Sequence, residues 1–119
     1  MKIHAQKIPP SLAGMAQVLR ASLESFASVL PIRRVILFGS HARGTASESS
    51  DVDLCLVIEG IESQYAAARV LRTSIGRLRG KPPMSLVPIS PARLEEKKSA
   101  HDPFFETILQ EGICIAQEN

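Results

Sequence analysis

A chain of 119 residues, 45% hydrophobic and 22% charged, has the balance of an ordinary globular protein, which excludes disordered, fibrous and repeat architectures. That length suits one compact domain over residues 1–119 and is too short for two. A net charge of +2 is too small to bind nucleic acid or an anionic membrane by bulk electrostatics, so any basic site has to be local. No apolar run approaches the roughly 20 residues of a membrane span, and no charged-then-apolar leader opens the sequence, so a cytoplasmic location is expected. Cys55 and Cys114 have neither a C-x-x-C partner nor a histidine at metal-ligand spacing. They read as buried thiols in a reducing compartment.

In chain order, Pro9-Pro10-Ser11 offers a break followed by an N-cap, and Leu12, Met15, Ala16, Leu19, Leu23, Phe26 and Leu30 recur at helical spacing. A first amphipathic helix is predicted there, ending at Pro31. Val35-Ile36-Leu37-Phe38 follows as a continuous apolar run, the pattern of a strand covered on both faces. Gly39-Ser40 breaks it, and a small, polar loop runs to Ser50 before a second strand, Asp51 to Ile58. Residues 62 to 79 read as a helix carrying Ala66, Val70, Leu71, Ile75 and Leu78 on its apolar face, closed by Gly80 and Pro82-Pro83. A third strand spans Met84 to Ile89. Pro91 starts a short helix ending near Lys98, Asp102-Pro103 caps another through Leu109, and Gly112 leads into a last strand, Ile113 to Ala116. The order predicts an alternating α/β domain with a small mixed sheet of about four strands and flanking helices.

Chemistry concentrates in Gly39-Ser40 and, ten residues on, Asp51-Val52-Asp53. A glycine lets backbone approach a phosphate closely. A helix starting at Ser40 would add free N–H groups and its positive end, with the Ser40 hydroxyl as a further donor. Residues two apart on a strand share a face, so Asp51 and Asp53 set two carboxylates beside that cradle. Magnesium would relieve their repulsion, with phosphate oxygens as its remaining ligands. In nucleotidyl transfer two such ions, about 3.5 to 4 Å apart, clamp the attacking and leaving oxygens.

The strings Phe38-Gly39-Ser40-His41-Ala42-Arg43-Gly44 and Ser50-Asp51-Val52-Asp53-Leu54 closely resemble the signature of the minimal nucleotidyltransferases of the DNA polymerase beta superfamily. The resemblance extends over most of the chain, since Phe105 to Ile115 looks like the helix, glycine and short strand that close such domains. It implies that Gly39 and Ser40 bind a triphosphate, that Arg43 contacts phosphate or fixes the loop, and that Asp51 and Asp53 hold the metals. It implies transfer of a nucleoside monophosphate, from ATP or another triphosphate, to a hydroxyl acceptor. Similar small proteins are antitoxins paired with a helical toxin of the higher eukaryote and prokaryote nucleotide-binding type, so a tyrosine of such a partner is a candidate acceptor; self-association is also open.

One position departs from the pattern. Active members carry a third acidic residue on the next strand, whereas Met84-Ser85-Leu86-Val87-Pro88 places Ser85 there. A neutral hydroxyl is a poor magnesium ligand and no general base at neutral pH. This favours a second reading, a catalytically impaired nucleotidyltransferase-like protein that binds nucleotide or neutralises a partner by contact. Glu95 and Glu96, the nearest substitute carboxylates, read instead as surface helix charge. His41 reads as an exposed spacer, Phe104 and Phe105 as core aromatics rather than stacking platforms. Arg69, Arg72, Arg77, Arg79 and Lys81 read as cations complementing the end of the second helix, in preference to a nucleic-acid surface.

Overall fold

Both continuous apolar runs become the central strands of one sheet. The computed structural model describes all 119 residues. Its strands are β1 (Lys2–Ile3), β2 (Ile32–Phe38), β3 (Val52–Ile58), β4 (Met84–Ile89) and β5 (Ile113–Gln117), arranged in the order β1-β5-β2-β3-β4. β2 pairs antiparallel with both β3 and β5, and β3 runs parallel to β4. A parallel pair needs a long crossover. Here it contains the helix α3 (Gln64–Ser74), capped by the Ser63 hydroxyl, which accepts from the Ala66 N–H.

Helices cover both faces, which is why β2 and β3 read as unbroken apolar runs. Alternation divides their side chains. Val35, Leu37, Leu54 and Leu56 pack beneath Leu19, Leu23 and Phe26 of α1 (Ala16–Val29) and Leu71 of α3. Ile36, Cys55 and Val57 face the other way, toward Leu94 of α4 (Pro91–Ser99) and Phe105 and Ile108 of α5 (Pro103–Glu111). The single-turn helix α2 (Ser40–Arg43) sits at the end of β2. Gly112, between α5 and β5, has an ordinary φ of −70°. It is there for space, because a Cβ would strike the Ile108 carbonyl oxygen and the Ile36 side chain.

The α/β mixed sheet is as predicted, with five strands in place of about four. The extra strand, β1, holds only two residues. The first helix starts later than its apolar spacing suggested: Pro10–Met15 is a 3-10 segment and α1 begins at Ala16. Gly14 inside that segment weakens an α-helix, and Ser11 caps nothing. The second helix ends at Ser74, short of residue 79, so Arg77, Arg79 and Lys81 lie in the following loop. Of the expected terminal cations only Arg72 stands in the last turn, and its guanidinium donates to the Met84 carbonyl at 3.2 Å. Ala66 and Val70 of the expected apolar face are exposed or half-exposed. Both cysteines are free; Cys55 is buried, which pushes its thiol up to about 12, and Cys114 is half-buried.

Leu54 is fully buried at the sheet centre. Leu54→Ala is expected to lower unfolding free energy by about 2–5 kcal/mol in urea titrations.

Candidate active site

The end of β2, the turn after it and the starts of β3 and β4 converge. Phe38, the last residue of β2, is the cross-strand partner of Asp53, and Asp53 lies in register with Ser85 on the parallel neighbour β4. Paired residues share a face, so the Asp53 and Ser85 side chains emerge together on the α5 side of the sheet. Asp53 is the one residue of β3 that is not buried. Asp51 stands just before the strand and is exposed, where the sequence placed it inside the strand; β3 begins at Val52, whose N–H donates to the Pro83 carbonyl at 2.8 Å.

Gly39 makes the junction. Its torsions, φ 76° and ψ −155°, belong to a region that only glycine populates freely. A Cβ here would also collide with the Asp53 carboxylate. The Arg43 N–H then donates to the Gly39 carbonyl at 3.0 Å, closing α2 immediately after the turn. The first N–H groups of such a turn have no intrahelical acceptor. The turn therefore carries free backbone donors, and it brings the Arg43 guanidinium close enough to Asp53 to oppose the rise of its carboxyl.

Neither Asp51 nor Asp53 belongs to any of the six ion pairs of the structure. Burial holds the Asp53 carboxyl above its ordinary range and the Asp51 charge adds to this, while His41 and Arg43 pull it back down. Arg43 is shared: its Nη1 donates to the Glu111 carboxylate of α5 at 3.3 Å.

His41 is not the exposed spacer that its loop position suggested. It is 3% exposed, and its Nδ1 lies 2.8 Å from the Ser11 hydroxyl, while Nε2 has no hydrogen-bond partner within the protein. Ser11, expected to cap a helix, instead fixes the histidine of the turn after β2 from 30 residues away. Glu95 and Glu96 do not reach the site. Glu95 lines a groove with Arg33, Arg34 and Val57 at the far end of the sheet, and Glu96 pairs with Arg93 at 3.0 Å. Val57 is four residues along β3 from Asp53, roughly 13 Å at strand rise. Of the two aromatics expected in the core, Phe105 is buried but Phe104 is 48% exposed.

No group of three or more His, Cys, Asp or Glu is assembled for a metal. The donor set nevertheless suits magnesium, which binds through one or two carboxylates and completes its shell with water and substrate phosphate. Two carboxylates that repel each other and have no cationic ion-pair partner meet that description.

A model of the nucleotidyltransferase domain matches residues 19–109, and the chain belongs to that family. Among solved structures, a protein of Sulfolobus solfataricus proposed to be a nucleotidyltransferase aligns with a TM-score of 0.57 and 20% identity, over 86% of this chain and 79% of its own. That likeness shows the fold. A protein proposed to be a minimal nucleotidyltransferase is 28% identical over 82% of this chain and 92% of its own, with a TM-score of 0.49. A search of curated proteins finds no match.

Two outcomes test this geometry. Gly39→Ala is expected to destabilise by about 1–3 kcal/mol or more in urea unfolding, from backbone strain alone. For Asp53, a raised carboxyl means that ionisation costs the folded state more than the unfolded one. That cost is absent below the unfolded value near 3.8 and grows as pH rises through the higher folded value. Without metal, Asp53→Asn should therefore melt at a higher temperature than the wild type at pH 7, with the difference closing near pH 3.

Proposed function

We propose that this chain binds a nucleoside triphosphate with magnesium and transfers the nucleoside monophosphate to a hydroxyl acceptor. The observation that carries the proposal is the close approach of Gly39 to the Asp53 carboxylate, which joins a phosphate-type turn and an acidic pair into one site in a nucleotidyltransferase-family chain. ATP is the first candidate among the four triphosphates. The Gly39 turn and the Ser40 hydroxyl bind phosphate oxygens, and Arg43, tethered by Glu111, adds a charge-assisted donor. Asp51 and Asp53 would hold magnesium, which neutralises charge on the phosphates and stabilises the leaving group. Attack by the acceptor hydroxyl on the α-phosphorus forms the new P–O bond as the P–O bond between the α-phosphorus and the bridging oxygen to the β-phosphate breaks; pyrophosphate leaves and the hydroxyl proton passes to solvent.

The domain supplies no acceptor of its own in this scheme. By its resemblance to antitoxin-type proteins, a tyrosine hydroxyl on a helical toxin partner is the proposed acceptor. The two free cysteines favour a reducing compartment, the cytoplasm.

The register of Ser85 with Asp53 favours a second reading. The third carboxylate expected on that strand is a hydroxyl, and both glutamates that could replace it belong to α4, with Glu95 at the far end of the sheet. A site so altered binds triphosphate and neutralises a partner by contact, with turnover slow or lost.

Incorporation of label from each α-labelled triphosphate, with magnesium and a candidate partner, separates the two. Transfer by the wild type that disappears in Asp53→Ala is expected if the chain is an enzyme. Transfer seen only in Ser85→Asp supports the contact-acting reading, and label in neither variant nor wild type contradicts the transferase proposal.

A further inference from the structure

Helix α5 walls one side of the site. Its Asp102 cap accepts from the Phe104 and Phe105 N–H groups and fixes the first turn. Phe104 and Glu111 lie two helical turns apart, about 10.5 Å along the axis, and therefore near one stripe of the helix. Phe104 touches the end of β2 and Glu111 the α2 turn that follows it. Glu111 meets Arg43 at 3.3 Å, and the Phe104 and Phe38 rings form a T-shaped pair, centroids 5.8 Å apart at 89°. Phe38 directly precedes Gly39 and is the cross-strand partner of Asp53. The flank of α5 that carries Phe104 is thus turned to the site.

Phe105 accounts for the apolar packing of this turn, being 6% exposed beside Ile108 and Ile36. Phe104 is not needed for that. It makes T-shaped contacts with Phe38 and Phe105, with centroids 5.8 and 5.2 Å apart, and remains 48% exposed. A half-exposed aromatic held by two others, one of them the residue directly before Gly39, is an apolar surface within reach of a nucleoside whose phosphates occupy that turn. The flank offers a nucleobase a ring to stack on, and no charged group intervenes between Phe104 and Phe38 in direct contact.

Resting on the triphosphate reading above, we infer that Phe104 is the stacking surface for the nucleobase. Stacking on an aromatic side chain is worth about 1–3 kcal/mol per base, which is roughly 5- to 150-fold in affinity. The binding surface uses the π face rather than bulk, so leucine does not substitute for it.

Calorimetric titration of the full chain with magnesium and, separately, ATP, CTP and inorganic tripolyphosphate tests this. In the wild type ATP and CTP should both bind tighter than tripolyphosphate, ATP by at least about fivefold. Phe104→Ala and Phe104→Leu should both lose that advantage while tripolyphosphate binding stays unchanged, and Phe104→Trp should keep it. Thermal melts confirm that each variant is folded, and Phe104→Leu preserves contact with Phe38 if alanine does not. Equal ATP affinity in wild type and Phe104→Leu overturns the stacking role. So does a wild type that binds ATP no tighter than tripolyphosphate. Failure of the wild type to bind ATP or tripolyphosphate contradicts the triphosphate reading itself, and the stacking role with it.

Discussion

The backbone at Gly39 comes so close to the Asp53 carboxylate that no side chain fits between them, and the rest of the site depends on this approach. It ties the turn after β2 to the start of β3, so that the donors of that turn and the acidic pair cannot move independently. The approach also removes water from Asp53, the main reason its carboxyl is raised. The protein gives Asp53 no ion pair in return. A partly buried carboxylate next to a second carboxylate opposes folding, and such local conflicts collect where a fold meets its ligand.

Around that junction the parts have separate tasks. The two helical layers bury most of β2 and all of β3 except Asp53, which makes the strand ends a firm base. Arg43 opposes the charge of Asp53 while anchored to Glu111, so α5 positions the cation as well as walling the site. His41, buried against Ser11, adds a second influence in the same direction and ties the segment before α1 to the turn after β2. Ser85 contributes a hydroxyl where a carboxylate would complete the acidic set, and its register with Asp53 makes the substitution a local change in an otherwise intact scaffold.

Much of this was legible in the sequence because it rests on local or strictly periodic signals. The strands β2 and β3 follow from unbroken apolar runs, α5 from the Asp102-Pro103 start, and the turn from Gly39-Ser40. Asp53 and Ser85 were expected on neighbouring strands, and the register joins them directly. What was not legible depends on distant partners. β1 is two residues long, too short for a period, and exists only because β5 offers an edge to pair with. His41 looks like loop polar content until Ser11 is folded onto it. Helical spacing gave Phe104 and Phe105 the same apolar assignment, but only the docking of α5 decides which ring is covered. The false start of α1 has a local cause, Gly14, outweighed in the reading by the spacing of Leu12 and Met15.

The coupling of turn and carboxylate is tested most directly by the thermal shift that magnesium and ATP produce in the wild type, in Asp53→Asn and in Gly39→Ala. A ligand that binds the folded state raises its melting temperature by mass action. Magnesium with ATP should raise the melting temperature of the wild type clearly, magnesium alone should do less, and both variants should lose most of the rise. An equal rise in all three proteins, or none in the wild type, would contradict a single site built from Gly39 and Asp53.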